Sequence, residues 1–149
     1  MKERKASYAL KIEDEKYAYI NNQGYILEID SALNNLPEIT SYKTQEIKIG
    51  SRLNNQDLEK MEVVLKIMEI ATANQIDSLI TSIDINDREN LILNMAGEGK
   101  IIYLGDASDI NTKILYIKAI LEEEKGVAGE LFMDGKTNKP GEFLFREKV

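Results

Sequence analysis

The chain has 149 residues, of which 43% are apolar and 30% charged, the balance of a soluble globular domain large enough to hold a core without staples. It contains no cysteine and no histidine, which excludes disulfides, thiolate zinc sites, Ser-His-Asp and Cys-His catalysis and the commonest transition-metal ligand. The net charge of −7 repels phosphate backbones and anionic membrane surfaces, and no Lys/Arg-rich run marks a local basic patch, so nucleic acid is not expected as a main partner.

No apolar run approaches the ~18 residues needed to cross a bilayer. No signal peptide is visible, and Met1 is followed directly by charged residues, as expected of a segment cut from a larger protein. From residue 6 the chain alternates weakly to Glu13, with Tyr8, Leu10 and Ile12 on one face. Asp14 and Glu15 make a turn, and Tyr17 to Ile20 resumes the strand. Asn21-Asn22-Gln23-Gly24 is a strong turn signal before a strand from Tyr25 to Ile29. Pro37 bars helix interior, so residues 33–53 read as extended segments and turns.

Asn54 or Asn55 can cap a helix running to about Asn74. Its apolar stripe is Leu58, Met61, Leu65, Met68 and Thr72, widened by Val64, Ile67 and Ala71 into a face that fits a sheet. Strands follow at 79–86 and at 91–95, then Gly97-Glu98-Gly99 turns into a strand from Lys100 to Leu104. Ser108 or Asp109 is the expected N-cap of a second helix, with Ile110, Ile114, Ile117 and Leu121 as its buried stripe. Gly126 and Gly129 end it. Leu131 and Met133 share a face of the penultimate strand, and Phe143 and Phe145 share a face of the last. The expected fold is α+β, a mainly antiparallel sheet with two long helices on one face, ending in an edge strand.

The candidate chemistry reads better as structure. Gly97-Glu98-Gly99-Lys100 lacks the phosphate-loop spacing and lies between two strands, so it is a hairpin turn. Asp106 and Asp109 resemble a paired-carboxylate arrangement but stand where helix caps belong. Asp84, Asp87 and Glu89 lack the spacing and central glycine of a calcium loop. The last strand differs. Phe143, Leu144 and Phe145 place apolar groups on both faces, where a wet outer face calls for alternation. Either both faces are covered within the domain, or a partner adds a strand there. Arg146, Glu147 and Lys148 would guard such an edge against indiscriminate pairing.

The order of these segments resembles the extracytoplasmic part of the FtsQ/DivIB family of bacterial cell-division proteins. The resemblance is carried by Glu3-Arg4 leading into a strand, YINNQGYILEI at 19–29, Leu36-Pro37-Glu38-Ile39-Thr40, IIYLGD at 101–106, the helix TKILYIKAIL and the closing ELFMD…EFLFREKV. It covers essentially the whole chain, although Ala6 stands where relatives often have proline and Ser41 where many have glycine. It implies a β domain over 1–149, with residues 1–7 the end of a preceding POTRA domain and the transmembrane part elsewhere. It further implies a non-catalytic divisome scaffold without cofactor or metal. The module would act at the septum, on the extracytoplasmic side of the plasma membrane. Its implied partners are the small coiled-coil division proteins FtsB/DivIC and FtsL, docking by strand addition at Glu142, Phe143, Leu144, Phe145 and Arg146, with Arg88 as a second contact. The alternatives are a carboxylate-based cell-wall hydrolase and a ligand-binding domain with an enclosed apolar pocket.

Overall fold

The computed structural model of the chain describes residues 5–31, 36–135 and 143–148. Glu142 and the Glu3-Arg4 pair lie outside the described residues, as does the start of the 33–53 segment. Among the described residues nine strands form one sheet: β1 (Tyr8–Glu13), β2 (Lys16–Ile20), β3 (Ile26–Asp30), β4 (Glu38–Thr40), β5 (Ser82–Asp84), β6 (Leu91–Met95), β7 (Lys100–Gly105), β8 (Gly129–Phe132) and β9 (Leu144–Glu147). Two helices, α1 (Asn55–Ala73) and α2 (Ile110–Glu123), complete the α+β fold. The strand order is β3-β2-β1-β4-β5-β6-β7-β8-β9.

The sheet is mixed, so the expectation of a mainly antiparallel one holds in part. β1–β4, β4–β5 and β7–β8 run parallel; the other five pairings are antiparallel. The reason is connectivity. A helix between two neighbouring strands returns the chain to its starting end, so each of α1 and α2 makes a crossover that forces its flanking strands parallel. β5 and β7 run in the same direction, both being antiparallel to β6. Both crossovers also step the same way along the sheet. With the usual right hand they must land on one face, and the two helices touch there.

Local chemistry sets the helix ends. The Asn54 side chain accepts from the Asp57 N–H at 2.8 Å, and Asn74 closes the far end. No glycine or proline interrupts the residues between them. The buried face of α1 is Asp57, Met61, Val64, Ile67 and Ala71, rotated from the expected stripe. Leu58 and Met68 flank the core and Thr72 is exposed. On α2 the expected stripe is buried as a whole, together with Lys113 and Ile120. Asp109 stands at the N-cap position but in the left-handed region, with φ 49° and no side-chain capping bond. Asp106 instead accepts from the Ser108 N–H at 3.0 Å and from its hydroxyl. The expected strand at 79–86 is shorter, because Asp77–Leu79 forms a 3-10 turn.

One core lies between the helices and the inner face of the sheet. Leu10, Ile20, Ile39, Ile83, Leu93, Ile102 and Leu131 meet the helix stripes there. Three charged side chains are buried with it. Asp57, 0% exposed, accepts from the N–H groups of Lys43 and Thr44 and from the Thr44 hydroxyl, which pins the 43–44 loop to the start of α1. Lys100, 2% exposed, donates to the Glu124 carbonyl at 2.9 Å and so places its charge at the negative end of α2. Lys113 donates to the carbonyls of Leu104 and Asp106, both at 3.0 Å. These bonds offset the desolvation that an unpartnered buried ammonium would suffer.

Candidate binding edge

β9 stands at one end of the strand order. Its register on β8 pairs Leu144 with Phe132, Phe145 with Leu131, Arg146 with Glu130 and Glu147 with Gly129. Just beyond it, Lys148 donates to the Ala128 carbonyl at 2.8 Å. Hydrogen-bonding direction alternates along an antiparallel strand. The main-chain groups of Leu144, Arg146 and Lys148 therefore face β8, and those of Phe145 and Glu147 face outward.

The two faces of β9 differ. Phe145 points to the helix side, where it lies over Gly129, and the Lys100 ammonium sits 5.9 Å from its ring centroid. A Cβ on residue 129 would stand 2.5 Å from the Arg146 carbonyl oxygen and 2.6 Å from Phe145 Cζ, so only glycine lets this strand seat. Phe143, also on the helix side, meets Tyr116 edge to face at 5.0 Å. Leu144 points the other way and is 39% exposed. Beside it Tyr103 and Phe132 stack at 5.0 Å, and the Arg146 guanidinium lies 5.1 Å from the Phe132 ring. Hydrogen bonding to Glu130 raises the Tyr103 hydroxyl above its usual pKa, with burial and the charges of Glu130 and Asp134 adding to it. Ile101, exposed on the same outer face, extends an apolar strip with no helix over it.

The structure thus groups Phe143, Leu144, Phe145 and Arg146, and adds Ile101, Tyr103 and Phe132, which the sequence reading did not single out. Their signal was alternation. In β7 and β8 these residues fall on the face opposite the buried Ile102 and Leu131, yet they are apolar. Arg88 is elsewhere. It follows β5 and shares a niche with Lys43 and Lys60, and β5 is four strand spacings from β9, roughly 19 Å.

The carboxylates have other surroundings. Glu89, Asp106, Asp109 and Asp134 line a cleft of about 540 Å3 at the carboxyl ends of β7 and β8. A glycosidic acid needs a raised pKa. The Asp106 carboxyl is moved down instead, first by the Ser108 hydroxyl, then by the Ser108 N–H, against an opposing effect of burial, with Lys113 adding a smaller lowering. Among the described residues no group of three acidic side chains is placed to hold a metal ion, and no helix is long and apolar enough to cross a membrane.

Comparison with curated proteins and with solved structures found no match. The family model for the C-terminal part of the cell division protein FtsQ/DivIB matches residues 9–134, from the start of β1 through the residues after β8. The matched span therefore includes Arg88 and stops short of β9. With most of its length matched, the chain belongs to the FtsQ/DivIB family of cell-division proteins.

Proposed function

We propose that this domain is a non-catalytic scaffold of the division machinery that docks an extended segment of a small coiled-coil partner, of the FtsB/DivIC and FtsL kind, along β9. The observation that carries this reading is the outward direction of the Phe145 and Glu147 main chain at the end of the sheet. An added strand would satisfy those groups. Its outward-face residues would cover Leu144 and the Tyr103–Phe132 stack, and an acidic residue near Arg146 would complete the match. The family places the protein at the bacterial septum; in this reading the domain works on the extracytoplasmic side of the plasma membrane. Residues 1–7 would join it to a POTRA domain and a membrane anchor. Arg88 is the proposed second contact, reached by a different part of the partner because of its distance from β9.

The test is titration calorimetry of the chain against a coiled-coil division protein, with a version truncated after Asn138 and with Leu144→Asp. Both changes are expected to abolish binding. Undiminished affinity of a folded Leu144→Asp protein would remove β9 from the interface.

A further inference from the structure

The fold gathers a basic niche that no run of the sequence announces. Lys43 lies after β4, Lys60 on the second turn of α1 and Arg88 after β5. The three line one open niche of about 320 Å3, at the carboxyl ends of the parallel pair β4–β5 where the α1 crossover begins. Such ends are where open sheets with crossover helices receive ligands.

The niche is organised in advance. The Lys43 ammonium donates to the Asn86 side-chain oxygen at 2.9 Å and the Lys60 ammonium to the Asn86 carbonyl at 3.0 Å, so two like charges converge on one residue. The Lys43 main chain is fixed by the buried Asp57 carboxylate. Asn86 donates its N–H to Asp84 at 2.8 Å. Two carboxylates also line the niche, Glu59 and Asp87. The Asp87 oxygens accept from the Glu89 N–H at 2.9 Å and the Asn90 side chain at 2.7 Å. The ion pairs seen between described residues, Lys11–Asp14 and Lys113–Asp106, lie elsewhere. On a chain of net charge −7 the lining sets three cations against two carboxylates.

We propose that Lys43, Lys60 and Arg88 form a binding niche for a phosphoryl group. Three cationic donors from three separate elements suit an anion with three free oxygens better than a carboxylate, whose two oxygens one guanidinium already satisfies. The ligand also relieves the repulsion between the converging charges. The niche stands on its own residues and shares only Arg88 with the partner interface.

The experiment is amide chemical-shift titration of the chain with inorganic phosphate, against sodium acetate and sodium chloride at matched ionic strength. Phosphate is expected to move the resonances of Lys43, Asn86, Asp87 and Arg88, with saturation weakened by added salt. The change K43Q/K60Q is expected to abolish the response and leave partner binding intact, and Leu144→Asp is expected to do the reverse. Equal shifts with acetate would overturn the phosphoryl assignment, and shifts retained in folded K43Q/K60Q would overturn the site. Given a phosphate response, sedimentation with vesicles of phosphatidylcholine, with and without phosphatidic acid, whose phosphomonoester has three free oxygens, assigns the source. Co-sedimentation only with the anionic vesicles identifies a lipid headgroup; none identifies a soluble or polymer-borne phosphate.

Discussion

The two ends of the sheet manage the same hazard in different ways. At the β3 end, residues 50–53 close over the start of the strand. Gly50 donates to the Ile26 carbonyl at 2.8 Å, Ile26 to that of Ser51 at 2.9 Å, and Leu53 to that of Gly24 at 3.0 Å. Arg52 locks the cover by lying 5.0 Å from the Tyr25 ring and donating to the Gln23 carbonyl at 2.9 Å. The uncovered remainder carries Glu28 and Asp30, exposed acids that discourage pairing. The β9 end lacks such a closure among the described residues, and its outer face is aromatic and aliphatic. A sheet closed at one end by the chain's own backbone, and left apolar at the other, has an asymmetry that stability alone does not require.

The sharpest way to break this contrast is Gly129→Val. The new side chain would strike the Arg146 carbonyl and the Phe145 ring, unseat β9 and cost about 1–3 kcal/mol by overpacking. Hydrogen exchange is expected to rise in 143–148 and to stay unchanged in Ile26–Asp30. Protection unchanged at both ends would show that β9 is not held by Phe145 over Gly129. Next in size, Leu144→Asp is expected to abolish measurable partner binding, a loss of roughly 2 kcal/mol or more, with little change in melting temperature, since Leu144 is not among the residues packed on the core.

The β1 side offers a comparison in pH. Burial first, and the Glu69 charge second, push the Tyr8 hydroxyl up from 10.0 to about 12. Because the folded pKa is the higher, this residue costs nothing below pH 10. Above it the unfolded chain loses its proton first, so stability falls as pH rises toward 12, by up to about 3 kcal/mol. Tyr8→Phe is expected to flatten that alkaline limb in pH-dependent unfolding; an unchanged slope would place the loss in another group. The smallest effect belongs to Arg52→Ala. It should loosen the β3 cover by ~1 kcal/mol, seen as faster exchange at Ile26, and leave partner affinity alone. Reduced affinity would mean that the two edges are coupled.

Much of this was legible in sequence because it depends on neighbours along the chain. Alternation marked the strands, Asn54 and Asn74 bounded α1, and the isoleucine stripe fixed the buried face of α2. The β4–β5 and β7–β8 pairings were also written in the order of elements, since a strand-helix-strand return implies parallel neighbours, yet a reading one strand at a time missed them. On α1 the expected face included the buried Met61, Val64, Ile67 and Ala71 but centred the stripe on Leu58, Leu65 and Met68, which are only partly buried. Asp57, Lys100 and Lys113 were unreadable as interior residues, because burial of a charge depends on partners far away in sequence.

By itself the sequence determined the absence of thiol and imidazole chemistry, the succession of elements and the apolar last strand. These follow from composition and from periodicities of two and 3.6 residues. Only the tertiary structure decided which backbone groups of β9 face outward, that Gly129 admits Phe145, and that Lys43, Lys60 and Arg88 meet. Register and crossover direction bring together residues that local patterning leaves unrelated, and this is why the apolar last strand could be anticipated while the meeting of Lys43, Lys60 and Arg88 could not.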